Sequence, residues 1–435
     1  MTDPLHPPID PVSAEALAAR GLRMGLVDPA DDAQLRPWLE ADHRGFLDPA
    51  MTDEAYELGR DEWRERRLTG VWDETLDHPE VPVATSASWA AELTVPGPHP
   101  VPAWAVSSVT VAPTHRRRGV ARAILEAELR NAVDAGCPVA VLTVSESTIY
   151  GRFGFGPAAD AAHLTVDTRR LVWTAPDVPG RLQYVARDAV LGTAQDVYDR
   201  MQRRTPGAVA LHGGLIERLF GQPSDPRDVA KHRIVRYDDA DGVPQGVLSY
   251  IPTENLADFA ASTVQVLTLL AATVDAAAAL WRFLVELDLI VELEAGLRPV
   301  DDPLRWQVSD PRSVRVTSVR DHLWVRVLDP VAALGARRYG AAGRLVLGVA
   351  DAQGYASGTW VVETDADGAA TVTRADGADV DVALEVRALG PLLLGGVSAS
   401  ALAAAGLLTE RRPGALATVD ALFRTARAPW LGIWF

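Results

Sequence analysis

Cysteine and lysine are almost missing from this chain of 435 residues: Cys137 is its single cysteine and Lys231 its single lysine. One cysteine excludes an intrachain disulfide and any cysteine-based metal site, and it suits a reducing cytoplasm. The cations are therefore nearly all arginine. With the abundance of alanine, this reads as codon composition rather than mechanism. Positive charge is short overall, 42 Lys and Arg against 58 Asp and Glu, for a net charge of −16. A nucleic-acid partner needs a clustered basic face to exchange for counterions, so none is expected. The acidic surplus fits solubility first and the attraction of a cationic molecule second. Long apolar runs are missing too. The longest uncharged stretch, Ala388 to Leu408, is interrupted by Gly390-Pro391 and Gly395-Gly396. It reads as strand, turn and buried helix, not as a membrane span. The opening MTDPLHPPID has no basic region and no apolar run, so no signal peptide is expected and a cytoplasmic location is.

What is present is enough chain for two or three cores. Helical spacing occurs at Leu35, Trp38 and Leu39, and again from Tyr56 to Leu68, around a Gly- and Pro-bearing loop at Gly45–Met51. Strand-like runs follow at Val81–Ser88 and Trp104–Val111. Next, Val120, Ile124, Leu125, Leu129, Ala132 and Val133 predict one face of an amphipathic helix that Gly136 and Pro138 end. A buried strand at Val139–Val144 completes a β-α-β unit. Thr174–Gly180 reads as a boundary. A weaker repeat follows, with strands at Gly246–Pro252 and Val264–Leu270, a helix at Ala276–Leu287 and a strand at Leu289–Leu293. A second linker, Arg298–Pro303 and Ser309–Pro311, leads to strands at Val314–Val316, Leu323–Val327, Arg344–Val349 and Gly358–Glu363, with helices near Val397–Ala405 and Ala415–Thr425. The expected division is 1–173, 174–309 and 310–435, the first two regions α/β and the third α+β.

The informative segment is Val109-Thr-Val-Ala-Pro-Thr-His-Arg-Arg-Arg-Gly-Val-Ala121. A strand ends, a turn follows, and a basic loop opens a helix. The start of a helix has unpaired N–H groups and a positive dipole end. Gly119 allows close backbone approach, the small Val120 and Ala121 leave room, and Arg116, Arg117 and Arg118 add fixed charge. Together these form an anion cradle suited to a pyrophosphate. Alone, three arginines and a glycine would more often be a solvated turn. A second signature, Tyr150-Gly-Arg-Phe-Gly154-Phe155, follows the next strand and changes that weighting.

The loop Arg116–Ala121 resembles the R/Q-x-x-G-x-G/A element of the GNAT superfamily of N-acetyltransferases. Tyr150–Phe155 resembles its Y-x-x-x-G-F element. The longer strings VTVAPTHRRRG and STIYGRFGFGPA, and the terminal aromatic at Trp434-Phe435, are similar to one branch, the Eis-type (enhanced intracellular survival) acetyltransferases. The close match covers roughly residues 80–170. The resemblance implies two GNAT-like domains, the second degenerate, followed by a sterol-carrier-like α+β domain. It implies acetyl-CoA as co-substrate, no metal, and a homo-hexamer. In that fold the strand of Val109 and Val111 splays from its neighbour. Val109 and Val111 then offer main-chain groups to the pantetheine arm, Arg116 to Ala121 hold the pyrophosphate, and Ser145 lies beside the arm. Ala271-Ala-Thr-Val-Asp275, where the second region would need its own loop, has neither glycine nor arginine, so no acetyl-CoA is expected there.

An amine acceptor with pKa about 10.4 is mostly ammonium at pH 7, and freeing its lone pair costs roughly 4.6 kcal/mol. The site therefore needs a proton acceptor near the amine and a donor near the departing thiolate. Tyr150, a phenol protonated at pH 7, is the expected donor. No histidine or glutamate stands in a recognisable base motif. The resemblance implies the terminal carboxylate, on Phe435, as acceptor. With an ordinary pKa of about 3.5 it needs burial, or an amine already made acidic by attack. The expected acceptor is a polycationic small molecule, aminoglycoside-like or polyamine-like. The acid-rich stretch near Asp48–Glu62 is a weak pointer to it, since most of those carboxylates suit a solvated face. Acetylation of protein lysines is the alternative, as is an apolar-ligand carrier with vestigial catalysis.

Overall fold

The computed structural model describes residues 7–211, 213–220 and 231–435. They fold as two compact units, one of residues 1–158, 323–425 and 435, the other of residues 159–322 and 426–434. The first opens with α1 (Pro11–Ala18), β1 (Arg23–Val27), α2 (Asp32–Phe46), α3 (Asp53–Gly59), β2 (Arg67–Trp72), β3 (Ala84–Leu93), β4 (Val101–Val111), α4 (Val120–Asp134) and β5 (Val139–Thr143). β1 to β4 pair antiparallel in sequence order, and β5 joins β4 in parallel. The two-residue period of β3 sorts its side chains between two helical layers. Ala84 packs with Val120 and Ile124 of α4, whereas Ala87 packs with Leu35, Trp38 and Leu39 of α2.

The helical spacing expected across Tyr56–Leu68 belongs to three elements: α3, a 3₁₀ turn at Arg60–Trp63 and the start of β2. Tyr56, Trp63 and Leu68 share one cluster beneath α2, which gives the run its apparent continuity. β3 begins three residues later than expected and runs on to Leu93. Val133 leaves the apolar face of α4 and is 44% exposed, because its position has rotated past the contact with the sheet.

The second unit contains most of β6 (Gly156–Asp167), then β7 (Arg181–Tyr184), α5 (Arg187–Gln202), α6 (Gly213–Leu219), β8 (Arg233–Asp238), β9 (Pro244–Thr253), β10 (Ser262–Ala271), α7 (Val274–Val285) and β11 (Ile290–Arg298). Its strand order is β6-β11-β10-β9-β8-β7, with β10 and β11 parallel around α7. Leu280, Trp281 and Leu284 of α7 fill its core. The two strands expected at Val314–Val316 and Leu323–Val327 are one, β12 (Val314–Val327).

The carboxyl-terminal part of the first unit is α8 (Pro330–Ala336), β13 (Gly343–Ala350), β14 (Gly358–Thr364), β15 (Ala370–Arg374), β16 (Val382–Glu385), α9 (Val386–Leu394), α10 (Ala399–Ala404), β17 (Leu408–Glu410) and α11 (Ala415–Phe423). Its five strands order as β15-β14-β13-β16-β17. Gly390-Pro391 does not break the chain into a strand. Both residues lie inside α9, and Gly395, at φ +79°, ends it. Proline removes one helical hydrogen bond, to the carbonyl four residues earlier. That carbonyl, of Arg387, is closely covered by Gly156, where an added Cβ would stand 1.8 Å from it. Among the described residues no helix is long and apolar enough to cross a membrane.

Candidate active site

β4 and β5 pair from Ala103↔Val139 to Val106↔Leu142, after which β4 runs on to Val111 and β5 ends at Thr143. From Ser107 onward the β5-facing edge of β4 is therefore open. The separation coincides with a bulge. Against β3 the register shifts between Thr85↔Thr110 and Ala87↔Ser107, and Ser108 takes φ +53°. A non-glycine residue in that region is uncommon and held by its surroundings. Here the Thr85 hydroxyl donates to the Ser108 carbonyl at 2.8 Å and meets the Thr110 hydroxyl at 2.6 Å. Past the bulge the Val109 and Val111 side chains join the α4-side cores. Their main chains lie along the open edge.

The loop after β4 passes through a 3₁₀ turn at Pro113–His115 and reverses at Arg117 (φ +63°) and Gly119 (φ +78°) before α4 starts at Val120. Its base is fixed by buried His115, whose ring meets the Asp73 carboxylate at 3.1 Å and the Thr114 hydroxyl at 2.9 Å. Hydrogen bonds from Thr75, with the one to His115, hold the Asp73 carboxyl down at about 2. Arg20 braces the loop from behind, donating to the Arg118 carbonyl at 2.5 Å while Arg118 donates to the Arg20 carbonyl at 3.2 Å. Gly119 takes φ +78°, a conformation that L side chains rarely adopt, and an added Cβ would also displace the Arg20 guanidinium. The helix start has no side-chain cap and no acidic residue in its first turn. Arg118 lies 3.7 Å from Asp73; among the described residues Arg116 and Arg117 have no carboxylate partner. Free N–H groups of Val120 and Ala121 and two uncompensated guanidinium groups thus surround the loop.

Tyr150 opens a 3₁₀ turn, Tyr150–Phe153, that Gly154 closes at φ +82°. A Cβ on Gly154 would stand 2.6 Å from Arg326 Nε and 2.8 Å from Val386, so the turn demands glycine. Tyr150 is buried edge-on to Phe155 and Trp324, in the cluster that also holds Val109 and Val144. Burial, and to a smaller degree Glu146, push its hydroxyl up to about 12. It remains a protonated donor across the physiological range. Ser145 is exposed, two residues beyond β5.

The tail is anchored residue by residue. Within the second unit the Trp430 amide donates to Pro206 O at 2.8 Å, its indole N–H to Leu297 O at 2.7 Å, and His322 Nε2 to Ile433 O at 2.7 Å. Burial pulls His322 down to about 4, so its imidazole is neutral. Phe435 packs within the first unit. Its ring stands edge-on to Trp89 at 5.5 Å, and its main-chain oxygen accepts from Thr143 Oγ1 at 2.9 Å. Thr143 is the last residue of β5, so the tail reaches the end of β5, where the β4 edge opens.

Sequence reasoning did not single out what lies on the α2 side of this opening. Asp42 is buried on α2, and the Ser108 side chain is the neighbour that pulls its carboxyl down against the upward push of burial. Arg66 pairs with Glu62 at 2.6 Å, and its guanidinium lies over Trp63 and Trp89 at 4.4 and 5.0 Å. An aspartate reads as solvent-facing by residue type, but its spacing of seven from Leu35 and four from Trp38 is the local signal that puts Asp42 on the buried face. The rest of the acidic stretch is mixed: Asp53 pairs with Arg36 and Asp61 with Arg64 at exposed sites.

Models of the acetyltransferase (GNAT) domain match residues 27–158 and 207–327, and the sterol carrier protein domain model matches 330–432. An uncharacterized N-acetyltransferase of Streptomyces avermitilis is 36% identical over 93% of this chain and 97% of its own. The N-acetyltransferase Eis of Mycobacterium tuberculosis is 34% identical over 76% of this chain and 80% of its own. The crystal structure of Eis1 from Mycobacterium abscessus superposes with a TM-score of 0.80 at 31% identity, covering 95% of this chain and all of that one.

Proposed function

This chain belongs to the Eis-type N-acetyltransferases of the GNAT superfamily, and from that premise we propose that it moves the acetyl group of acetyl-CoA onto primary amines of a polycationic acceptor, aminoglycoside-like or polyamine-like. The observation that carries the reading is the open β4 edge, bounded by an uncapped arginine-rich helix start and a buried, protonated Tyr150.

Arg116, Arg117 and the N–H groups around Gly119, Val120 and Ala121 hold the pyrophosphate, with Arg118 in support. The main chains of Val109 and Val111 carry the pantetheine arm, and Ser145 flanks it. The amine nitrogen attacks the thioester carbonyl, the C–S bond breaks, and Tyr150 gives its proton to sulfur. The Phe435 carboxyl takes a proton from the nitrogen once attack has made it acidic. The net charge of −16 favours capture of a multiply charged cation. On this reading residues 1–173 are catalytic, 174–309 shape the acceptor cleft, 310–435 form the sterol-carrier-like region, and the last two support a homo-hexamer.

Incubation of the full chain with radiolabelled acetyl-CoA and a panel of aminoglycosides, polyamines and lysine-rich proteins tests the proposal. Label should pass to the aminoglycosides or the polyamines. Label confined to protein lysines would replace the acceptor class, and no transfer to any amine would overturn the enzymatic reading.

A further inference from the structure

An amine that enters as an ammonium and leaves as an amide loses two protons from nitrogen. Sulfur takes up one, by way of Tyr150, and the other leaves to solvent. A single carboxyl at the chain end accounts for one of the two departures, the one after attack. The earlier one, which creates the nucleophile, needs a weaker acid as its sink, because a group with an ordinary carboxyl pKa leaves nearly all of an alkylamine protonated.

The α2 side of the β4 bulge holds a second carboxyl. α2 presses onto β4 so closely that a Cβ on Gly45 would stand 2.4 Å from Thr110 Cβ. One turn earlier on the same helix, Asp42 is 6% exposed. Its Oδ1 is buried with no hydrogen-bond partner, and Ser108 is its polar neighbour from β4. A buried carboxylate oxygen left unsatisfied is costly and rarely kept for stability alone. Ser108 is held at φ +53° one residue beyond the point where β4 ceases to face a β5 partner.

We propose that Asp42, through the hydroxyl of Ser108, accepts the proton that the acceptor ammonium sheds before attack. This rests on the acetyltransferase reading above. Ser108 Oγ receives a proton from nitrogen as it passes its own to Asp42, so the hydroxyl is regenerated and the carboxylate becomes a carboxylic acid. Attack, C–S cleavage with proton donation by Tyr150, and loss of the second N–H proton to the Phe435 carboxyl follow. Asp42 and Phe435 then return two protons to solvent and Tyr150 regains one, which leaves the single proton that the overall reaction releases. The groups facing Asp42 are Ser108 from β4, Arg66 and Glu62 ahead of β2, and Asp48 beyond α2. Burial is the strongest influence and raises the carboxyl to about 7, Ser108 and Arg66 pull it down, and Asp48 and Glu62 push it up. Such a group accepts a proton from an ammonium far more readily than an ordinary carboxylate does.

The test is the pH profile of kcat/KM for the full chain, with the amine that the panel identifies, for wild type, Asp42→Asn and Ser108→Ala. Both variants should lose about 100-fold at pH 7. Both should approach the wild-type rate near pH 10, where the amine is already free, and both should keep wild-type acetyl-CoA affinity. Ser108→Ala leaves the carboxyl in place, so it separates the relay from any folding defect in Asp42→Asn. A loss that is equally large at every pH would make Asp42 structural and overturn the proposal, as would wild-type activity in both variants. An inactive wild type would instead fail the acetyltransferase reading itself.

Discussion

The two GNAT halves keep the same strand plan and treat its opening oppositely. In the first, β4 and β5 part after Val106; in the second, β10 and β11 part after Val266, again beside a bulge on the neighbouring strand pair. Three residues past the parting, Val109 leaves its main chain on an open edge, whereas the Leu269 carbonyl accepts Arg298 Nη1 at 3.2 Å. That arginine is buried, paired with Asp302 at 3.0 Å and placed over the rings of Trp281 and Trp430. The helix starts differ in the same sense. α4 begins at an uncapped glycine behind three arginines. α7 is capped by the Thr273 hydroxyl and carries Asp275 in its first turn, so its positive end is already satisfied. Where the first half turns Tyr150 inward on a 3₁₀ turn after β5, the turn after β11, Pro303–Trp306, buries Leu304. In the second half the place that stays open in the first is filled by the protein's own side chains while the fold stays.

The largest break in this comparison is at the proton donor and the chain end. Tyr150→Phe removes the hydroxyl and keeps the packing against Phe155 and Trp324, so turnover should fall about 100-fold or more with acetyl-CoA affinity little changed. Leu304→Met, at the equivalent turn, should leave turnover alone. Adding one residue after Phe435 shifts the carboxyl by up to about 3.5 Å, and misplacement by about 1 Å already costs roughly 100-fold. Phe435→Ala should be milder, because it loses the contact with Trp89 and keeps the group bonded to Thr143. Single-turnover kinetics separate these effects; a tagged chain end with full turnover would remove Phe435 from the mechanism.

The legibility of the molecule follows from where its signals lie along the chain. The β-α-β unit, the loop Arg116–Ala121 and the turn at Tyr150 are local. Glycines at φ +78° and +82° leave marks that one sequence displays. The degenerate second half was also readable at Ala271–Asp275, since the missing glycine and arginines are local too. Its filled slot was not. Arg298 meets Leu269, Asp302, Trp281 and Trp430, contacts that periodicity does not encode. Asp42 was hidden for the same reason. Helical spacing from Leu35, Trp38 and Leu39 puts it on the apolar face, but a carboxylate reads as solvent-facing, and the strand β4 that covers it lies about 66 residues away in sequence. Gly390-Pro391 misled because a proline that lies inside a nine-residue helix looks, in sequence, like a break.

A smaller effect sharpens the comparison at the phosphate loop. Among the described residues Arg116 and Arg117 lack carboxylate partners, so their charge is available to an anion. Replacing either by Ala should weaken acetyl-CoA binding about 10- to 100-fold, the value of one charged hydrogen bond. The loss should shrink in high salt, where exposed charges are screened. Calorimetry should give one acetyl-CoA per chain in the wild type and in Arg298→Ala, because vacating the second slot supplies no arginine loop. Two sites, or unchanged affinity in the Arg116 and Arg117 variants, would undo the assignment.

The smallest effect tests why the second helix start is closed. The Thr273 hydroxyl accepts from the Ala276 amide at 3.1 Å, and Ala276 is fully buried. Thr273→Ala leaves that N–H without its partner and should cost about 1 kcal/mol of stability, the ordinary worth of an N-cap. Thr273→Ser keeps the hydroxyl and should recover most of it. Asp275→Asn removes a charge favourable to the dipole, worth roughly 0.3–1 kcal/mol at an exposed position, and its effect should fade in salt. Chemical denaturation measures all three, and in none should acetyl-CoA affinity move, since the proposed binding site is the first half's own loop. If Thr273→Ala instead altered acetyl-CoA binding as strongly as stability, the second helix start would take part in cofactor binding, and the division between an open half and a filled one would fail.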